Sequence, residues 1–121
     1  MTRVFVADAN IDTRSALRLL LVDMQMQVVG EAVDWHGAMA KIPTTSPDML
    51  VVSWELPAEV GAALAQLRVA CPNLRVLVLS SQLGTCQDAF HAGADEFTSI
   101  GNMPDRVTEH LRAAAGNRRS E

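Results

Sequence analysis

Met49-Leu50-Val51-Val52-Ser53-Trp54-Glu55-Leu56-Pro57 is the stretch on which the fold turns. Its first four residues are a short, β-branched apolar run of strand character, and the chain then leaves it through a turn towards Pro57. Runs of the same kind stand at Val4–Ala7, Val28–Val33 and Val76–Leu79, with a weaker one at Glu96–Ile100. Between them the apolar spacing is helical. Leu17, Leu20, Leu21 and Met24 fall at i, i+3, i+4 and i+7, Val60, Ala63, Leu64 and Leu67 repeat that spacing, and Val107, Leu111 and Ala114 follow it more thinly.

The punctuation agrees. Asn10 or Asp12 can accept the free amide hydrogens at the first helix start, and Asp34 can do so for a short helix near 35–42. Pro43 and Pro47 bracket the loop before the third strand, and Cys71-Pro72-Asn73 ends the third helix. Gly93 suits the end of a short helix at 85–92. Pro104 suits the first turn of a last helix at 103–115.

Five strands alternating with five helices on short connections require a parallel sheet covered on both faces. Right-handed crossovers then leave few topologies. The expected architecture is α/β: a flavodoxin-like (βα)5 three-layer sandwich with strand order 2-1-3-4-5. Its functional crevice lies beyond the C-terminal ends of the first and third strands. The residues brought there are Asp8, Ala9, Ser53, Trp54, Glu55, Ser80, Ser81 and Ile100.

Bulk properties narrow the function. At 121 residues the chain has room for one domain, read as 1–116, with a polar tail at 117–121. A hydrophobic content of 49% excludes general disorder. The apolar stretches fall short of the ~20 residues of a membrane helix, which argues against a membrane partner. Ten Lys and Arg against fourteen Asp and Glu give a net charge of -4, which argues against direct nucleic-acid binding by this domain. The two cysteines, Cys71 and Cys86, have neither CxxC nor Cys/His ligand spacing, and His36, His91 and His110 share none either. The N-terminus lacks signal-peptide character, so the expected location is cytoplasmic, with both thiols reduced.

Over nearly its whole length the chain resembles the receiver domain of two-component response regulators, most of all the receivers that precede a helix-turn-helix module in transcription factors. The matching stretches are Val4–Asp8 with Arg14, Val28–Ala32, Pro47-Asp48 through Leu56-Pro57 with Gly61, Arg75–Ser80, and Ala92–Phe97 followed by Pro104. The resemblance implies a specific chemistry. A carboxylate ending the third strand accepts a phosphoryl group, and two acids after the first strand help hold Mg²⁺, a hard ion that takes oxygen ligands. A lysine after the fifth strand offsets the phosphoryl charge, and a Ser/Thr hydroxyl after the fourth bonds a phosphoryl oxygen.

Residue by residue, the chain departs from that chemistry. Asp8 matches the first acid, but Ala9 stands at the second. Ser53 stands at the phosphoacceptor position and Ile100 at the lysine position. Ser80 keeps the hydroxyl, and Phe97 matches the aromatic that reports the phosphorylation state. An alanine ligates no metal, isoleucine carries no charge, and a serine without a base is a poor nucleophile. No catalytic residue, metal or cofactor is therefore expected.

Plainer roles are expected for most of these residues. Asp8 reads as a hydrogen-bonded relic at a strand end, and Ser53 as a buried hydroxyl with a filled hydrogen bond. Glu55 as a replacement carboxylate would share Ser53's side in a strand, but the turn towards Pro57 weighs against it. Trp54 should face away from Ser53 and pack, and Phe97 is equally an ordinary core aromatic.

The leading reading is an atypical receiver, or pseudo-receiver, in signal transduction or transcriptional control. It would act through protein partners, a regulator or a second copy, with a homodimer formed through the fifth strand and the helix at 103–115. The alternative is a receiver-like domain binding a small effector in an uncharged crevice lined by Ala9, Ser53, Ser80 and Ile100. An enzyme of flavin type is disfavoured, because Asp8-Ala9-Asn10-Ile11-Asp12 would repel an anion where a phosphate-binding loop belongs.

Overall fold

A computed structural model of the chain describes residues 2–55, 60–80 and 94–99. Within them run β1 (Arg3–Ala7), α1 (Ile11–Asp23), β2 (Gln27–Ala32), α2 (Trp35–Thr45), β3 (Met49–Ser53), α3 (Val60–Ala70), β4 (Arg75–Ser80) and β5 (Glu96–Ser99). The strands form one parallel sheet in the order β2-β1-β3-β4-β5, as the alternation of apolar runs and helical spacings required. The helices expected at 85–92 and 103–115 and the tail at 117–121 lie outside the described residues. Among the described residues no helix is long and apolar enough to cross a membrane.

The period-two alternation of a strand sorts the side chains into two cores. Val4 and Val6 of β1, Met49 and Val51 of β3, and Leu77 and Leu79 of β4 meet Leu17 and Leu21 of α1 on one face. Phe5 and Ala7, Leu50 and Val52, and Val76 and Val78 meet α2 and α3 on the other, through Trp35, Ala38, Ile42, Leu64 and Leu67. All five positions of β3 are buried, which is why its sequence reads as an unbroken apolar run. Trp54 and Phe97 pack against the second of these cores.

The caps settle two local choices. Asn10 is the N-cap of α1, its side-chain oxygen accepting from the amides of Asp12 at 2.8 Å and Thr13 at 3.1 Å. Asp12 then lies in the first turn, where its charge suits the positive end of the helix dipole. Asp34 caps α2 through the Gly37 amide at 2.7 Å.

One boundary differs from the sequence expectation. Instead of stopping near residue 42, α2 runs through Pro43 to Thr45. Proline this close to the C-terminal end removes only one helical amide bond. The Thr44 and Thr45 hydroxyls then bond back to the Lys41 carbonyl at 2.9 and 3.0 Å. Ser46, left-handed at φ 48°, closes the helix with its amide on the Ile42 carbonyl at 3.0 Å.

Gly30 sits opposite Phe5, where the β1–β2 register shifts. A Cβ there would lie 2.7 and 2.9 Å from two atoms of the Phe5 ring, which is wholly buried and has nowhere to retreat. Gly30→Ala is expected to cost about 1–3 kcal/mol through overpacking. Urea unfolding would read this as a lower midpoint at constant slope, and an unchanged midpoint would mean that the ring yields freely.

Candidate functional site

The sheet order makes β1, β3 and β4 consecutive neighbours, so the residues at their C-terminal ends share one edge. Asp8 follows β1, Ser53 ends β3 and Ser80 ends β4. Ser53 pairs with Leu79, which puts Ser80 one residue further along the adjacent strand, the side-by-side arrangement the topology implies. All three are buried, at 5%, 5% and 0% exposure, so their polar atoms require internal partners. Ala9 is exposed just beyond, and Phe97 is half-buried on β5. Ser81 and Ile100 lie outside the described residues.

Asp8 is held on several sides. Its amide donates to the Ala32 carbonyl at 3.0 Å, its carbonyl accepts from an Arg14 guanidinium nitrogen at 2.7 Å, and its carboxylate accepts from the Asn10 amide at 2.8 Å. Burial pushes its pKa above the ordinary value, and the Glu55 charge adds to that. The Asn10 amide and the Arg14 charge pull against it without cancelling it.

Glu55 lies in the turn after β3, as the sequence suggests, and its side chain reaches the end of β4. The Trp54 amide donates to the Leu79 carbonyl at 2.7 Å, closing the last β3–β4 pair, Ser53 with Leu79. The Glu55 amide then donates to the Ser53 hydroxyl oxygen at 3.2 Å, and the Ser80 hydroxyl donates to a Glu55 carboxylate oxygen at 2.7 Å. Among the described residues the edge therefore carries two carboxylates, Asp8 and Glu55. Among the described residues no group of three or more His, Cys, Asp or Glu is placed to hold a metal ion.

The arrangement has little reactive character. Ser53 accepts its hydrogen bond from an amide, and an amide N–H cannot take the proton a serine must lose to become a nucleophile. A cavity of about 390 Å³ opens beside this edge, between the end of β2 and the start of α2, lined by residues that include Arg14, Glu31, His36 and Lys41. Ala9, Ser53 and Ser80 do not line it. Its cations are already engaged: Glu31 pairs with Arg14 at 3.3 Å and with Arg18, and its carbonyl accepts from Lys41 at 3.3 Å.

The raised pKa of Asp8 fixes the sign of a pH effect. The folded protein holds this proton more tightly than the unfolded chain does. The charged carboxylate therefore opposes folding at neutral pH, and the penalty fades as pH falls through the folded pKa towards the ordinary value of 3.8. Asp8→Asn keeps an acceptor for the Asn10 amide and removes the charge. It is expected to raise the melting temperature at pH 7, with a gain that shrinks as pH falls through the raised folded pKa towards 3.8. A variant less stable than wild type at pH 7 would mean that Asp8 is held by a cation that outweighs its burial.

Comparison with known proteins agrees with this geometry. The family model described as the response regulator receiver domain matches residues 4–112. Chemotaxis protein CheY of Listeria monocytogenes is 30% identical over 118 residues, covering 95% of this chain and 99% of that protein. The DNA-binding transcriptional activator DevR/DosR of Mycobacterium tuberculosis is 36% identical over 101 residues, covering 80% of this chain and 46% of the activator. Among solved structures, a LuxR-family two-component response regulator from an Aurantimonas species aligns with a TM-score of 0.88 at 25% identity, over 96% of this chain and 86% of that one. Sheet order, the positions of the buried strand-end residues and these matches agree, and the chain belongs to the family of response regulator receiver domains.

Proposed function

We propose that this receiver is a non-enzymatic pseudo-receiver that signals through protein contacts without forming an aspartyl phosphate. The observation that carries the reading is Ser53. At the end of β3 the chain presents a buried hydroxyl whose oxygen is occupied by the Glu55 amide, in the position the family resemblance gives to the phosphoaccepting carboxylate. Ala9 beside Asp8 withdraws a metal ligand, and Ile100, matched to the lysine position, withdraws a balancing charge. The likeness to DevR/DosR supports a role in transcriptional control. The net charge of -4 supports protein rather than DNA contacts for this domain.

A receiver without phosphorylation control still needs a readout, and a standing homodimer through the fifth strand and residues 103–115 is the simplest. Sedimentation at ~100 µM checks it, since a clean monomer there excludes association stronger than about -5.5 kcal/mol. The test of the central reading is direct. Wild-type protein incubated with a small acyl phosphate and Mg²⁺ is expected to gain no adduct of about 80 Da, the mass of one phosphoryl group, in intact-mass spectra. A hydroxylamine-labile adduct on wild type would overturn the reading.

A further inference from the structure

We propose that Glu55 is a built-in latch: its carboxylate holds the Ser80 hydroxyl and ties the turn after β3 to the end of β4, as the chain's own anion at that hydroxyl. This deepens the pseudo-receiver reading and rests on it, because a site that accepted phosphoryl groups would bring an external anion to the same edge.

Three bonds converge on this edge, two of them between the end of β3 and the end of β4 and one within the turn after β3. The Trp54 amide donates to the Leu79 carbonyl at 2.7 Å, the Glu55 amide to the Ser53 hydroxyl oxygen at 3.2 Å, and the Ser80 hydroxyl to the Glu55 carboxylate at 2.7 Å. Ser53 and Ser80 are buried and Glu55 is exposed. The carboxylate therefore stays partly in water while it receives a buried hydroxyl. That geometry gives a charge-assisted bond without the full cost of burying an ion. Together with the nearby Asp8 carboxylate, Glu55 makes the edge negative and disfavours a further anion there. The end of β4 also carries β5, through the Leu79–Thr98 and Ser80–Ser99 pairs, and Phe97 lies next in that register opposite Val78. A latch on Ser80 thus bears on the strand that holds Phe97.

Native-state hydrogen exchange followed by NMR tests this on the full chain with no phosphodonor present. Glu55→Ala is expected to speed exchange of the Trp54 amide roughly 10-fold, the scale of one lost bond to a charged group, while the β1 amides stay unchanged. Ser80→Ala should do the same, and the double variant should be no faster than either single variant. Glu55→Gln keeps an acceptor without the charge, and an intermediate rate is expected. Exchange that does not respond to Glu55→Ala, effects of the two single changes that simply add, or a Gln variant equal to wild type would each overturn the latch. An acyl-phosphate adduct on wild type would instead overturn the pseudo-receiver reading, so the two failures are separable.

Discussion

Asp95→Ala is expected to destabilise the domain by about 2–4 kcal/mol, since it removes one anion shared by two arginines and a backbone amide. Asp95 stands just before β5. Its two carboxylate oxygens accept from Arg68 at 3.0 and 3.1 Å, and they also accept from Arg75 at 3.4 Å and from the Val76 amide at 2.7 Å. Its own amide returns a bond to the Val76 carbonyl at 2.8 Å. The carboxylate therefore joins the C-terminal part of α3, the start of β4 and the entry to β5, with the Arg68 guanidinium also bonded to the Leu74 carbonyl. The side chain of Asp95 is only 15% exposed, and those of Arg68 and Arg75 are 26% and 27% exposed. The pairs are too sheltered to be negligible surface bridges, yet wet enough to keep the cost below that of a fully buried pair. Asp95→Asn should recover part of the loss, because it keeps an acceptor for the Val76 amide. Urea unfolding monitored by circular dichroism provides the measurement, and a loss under about 0.5 kcal/mol for the alanine variant would reduce the cluster to an ordinary surface network.

The sheet is legible in the sequence because burial on both faces writes an uninterrupted apolar run. Met49–Val52 and Val76–Leu79 announce central strands without help from distant residues. Helix starts are legible up to the choice between two nearby capping residues, Asn10 or Asp12, which only geometry decides. What stays hidden depends on partners far along the chain. Asp95 reads as one residue of a matched stretch, and its role emerges from arginines 27 and 20 positions away. The weight of Glu55 is obscured because the turn towards Pro57 suggests that the strand alternation has ended. The strand does end at Ser53, and the carboxylate reaches the Ser80 hydroxyl from the turn. The persistence of α2 through Pro43 is accompanied by two threonine hydroxyls bonded to the Lys41 carbonyl in the last turn, contacts that propensity alone does not foresee.

On the pseudo-receiver reading, three substitutions are expected to give a protein that takes up a phosphoryl group with Mg²⁺ where the wild type does not. Ser53→Asp alone should fail, because it adds a carboxylate to an edge that already holds Asp8 and Glu55, with isoleucine where the family resemblance places a balancing lysine. Adding Ala9→Asp supplies oxygen ligands beside Asp8 and should recover some Mg²⁺ affinity. Adding Ile100→Lys supplies the remaining positive charge at the position matched to the family's lysine. In the triple variant an oxygen of the carboxylate introduced by Ser53→Asp attacks the phosphorus of an acyl phosphate. The new O–P bond forms as the donor's acyl O–P bond breaks, and the donor carboxylate leaves with the electron pair. Intact-mass spectra should then show a Mg²⁺-dependent, hydroxylamine-labile adduct of about 80 Da. Glu55 governs the yield, since its carboxylate holds the Ser80 hydroxyl that the incoming phosphoryl oxygens need. A fourth change, Glu55→Ala, should therefore raise the adduct fraction above that of the triple variant. A folded triple variant with no adduct, and none after the fourth change, would mean that the strand ends have lost the spacing for transfer as well as the residues. The domain would then be a scaffold in the shape of a receiver rather than a switch with its chemistry removed.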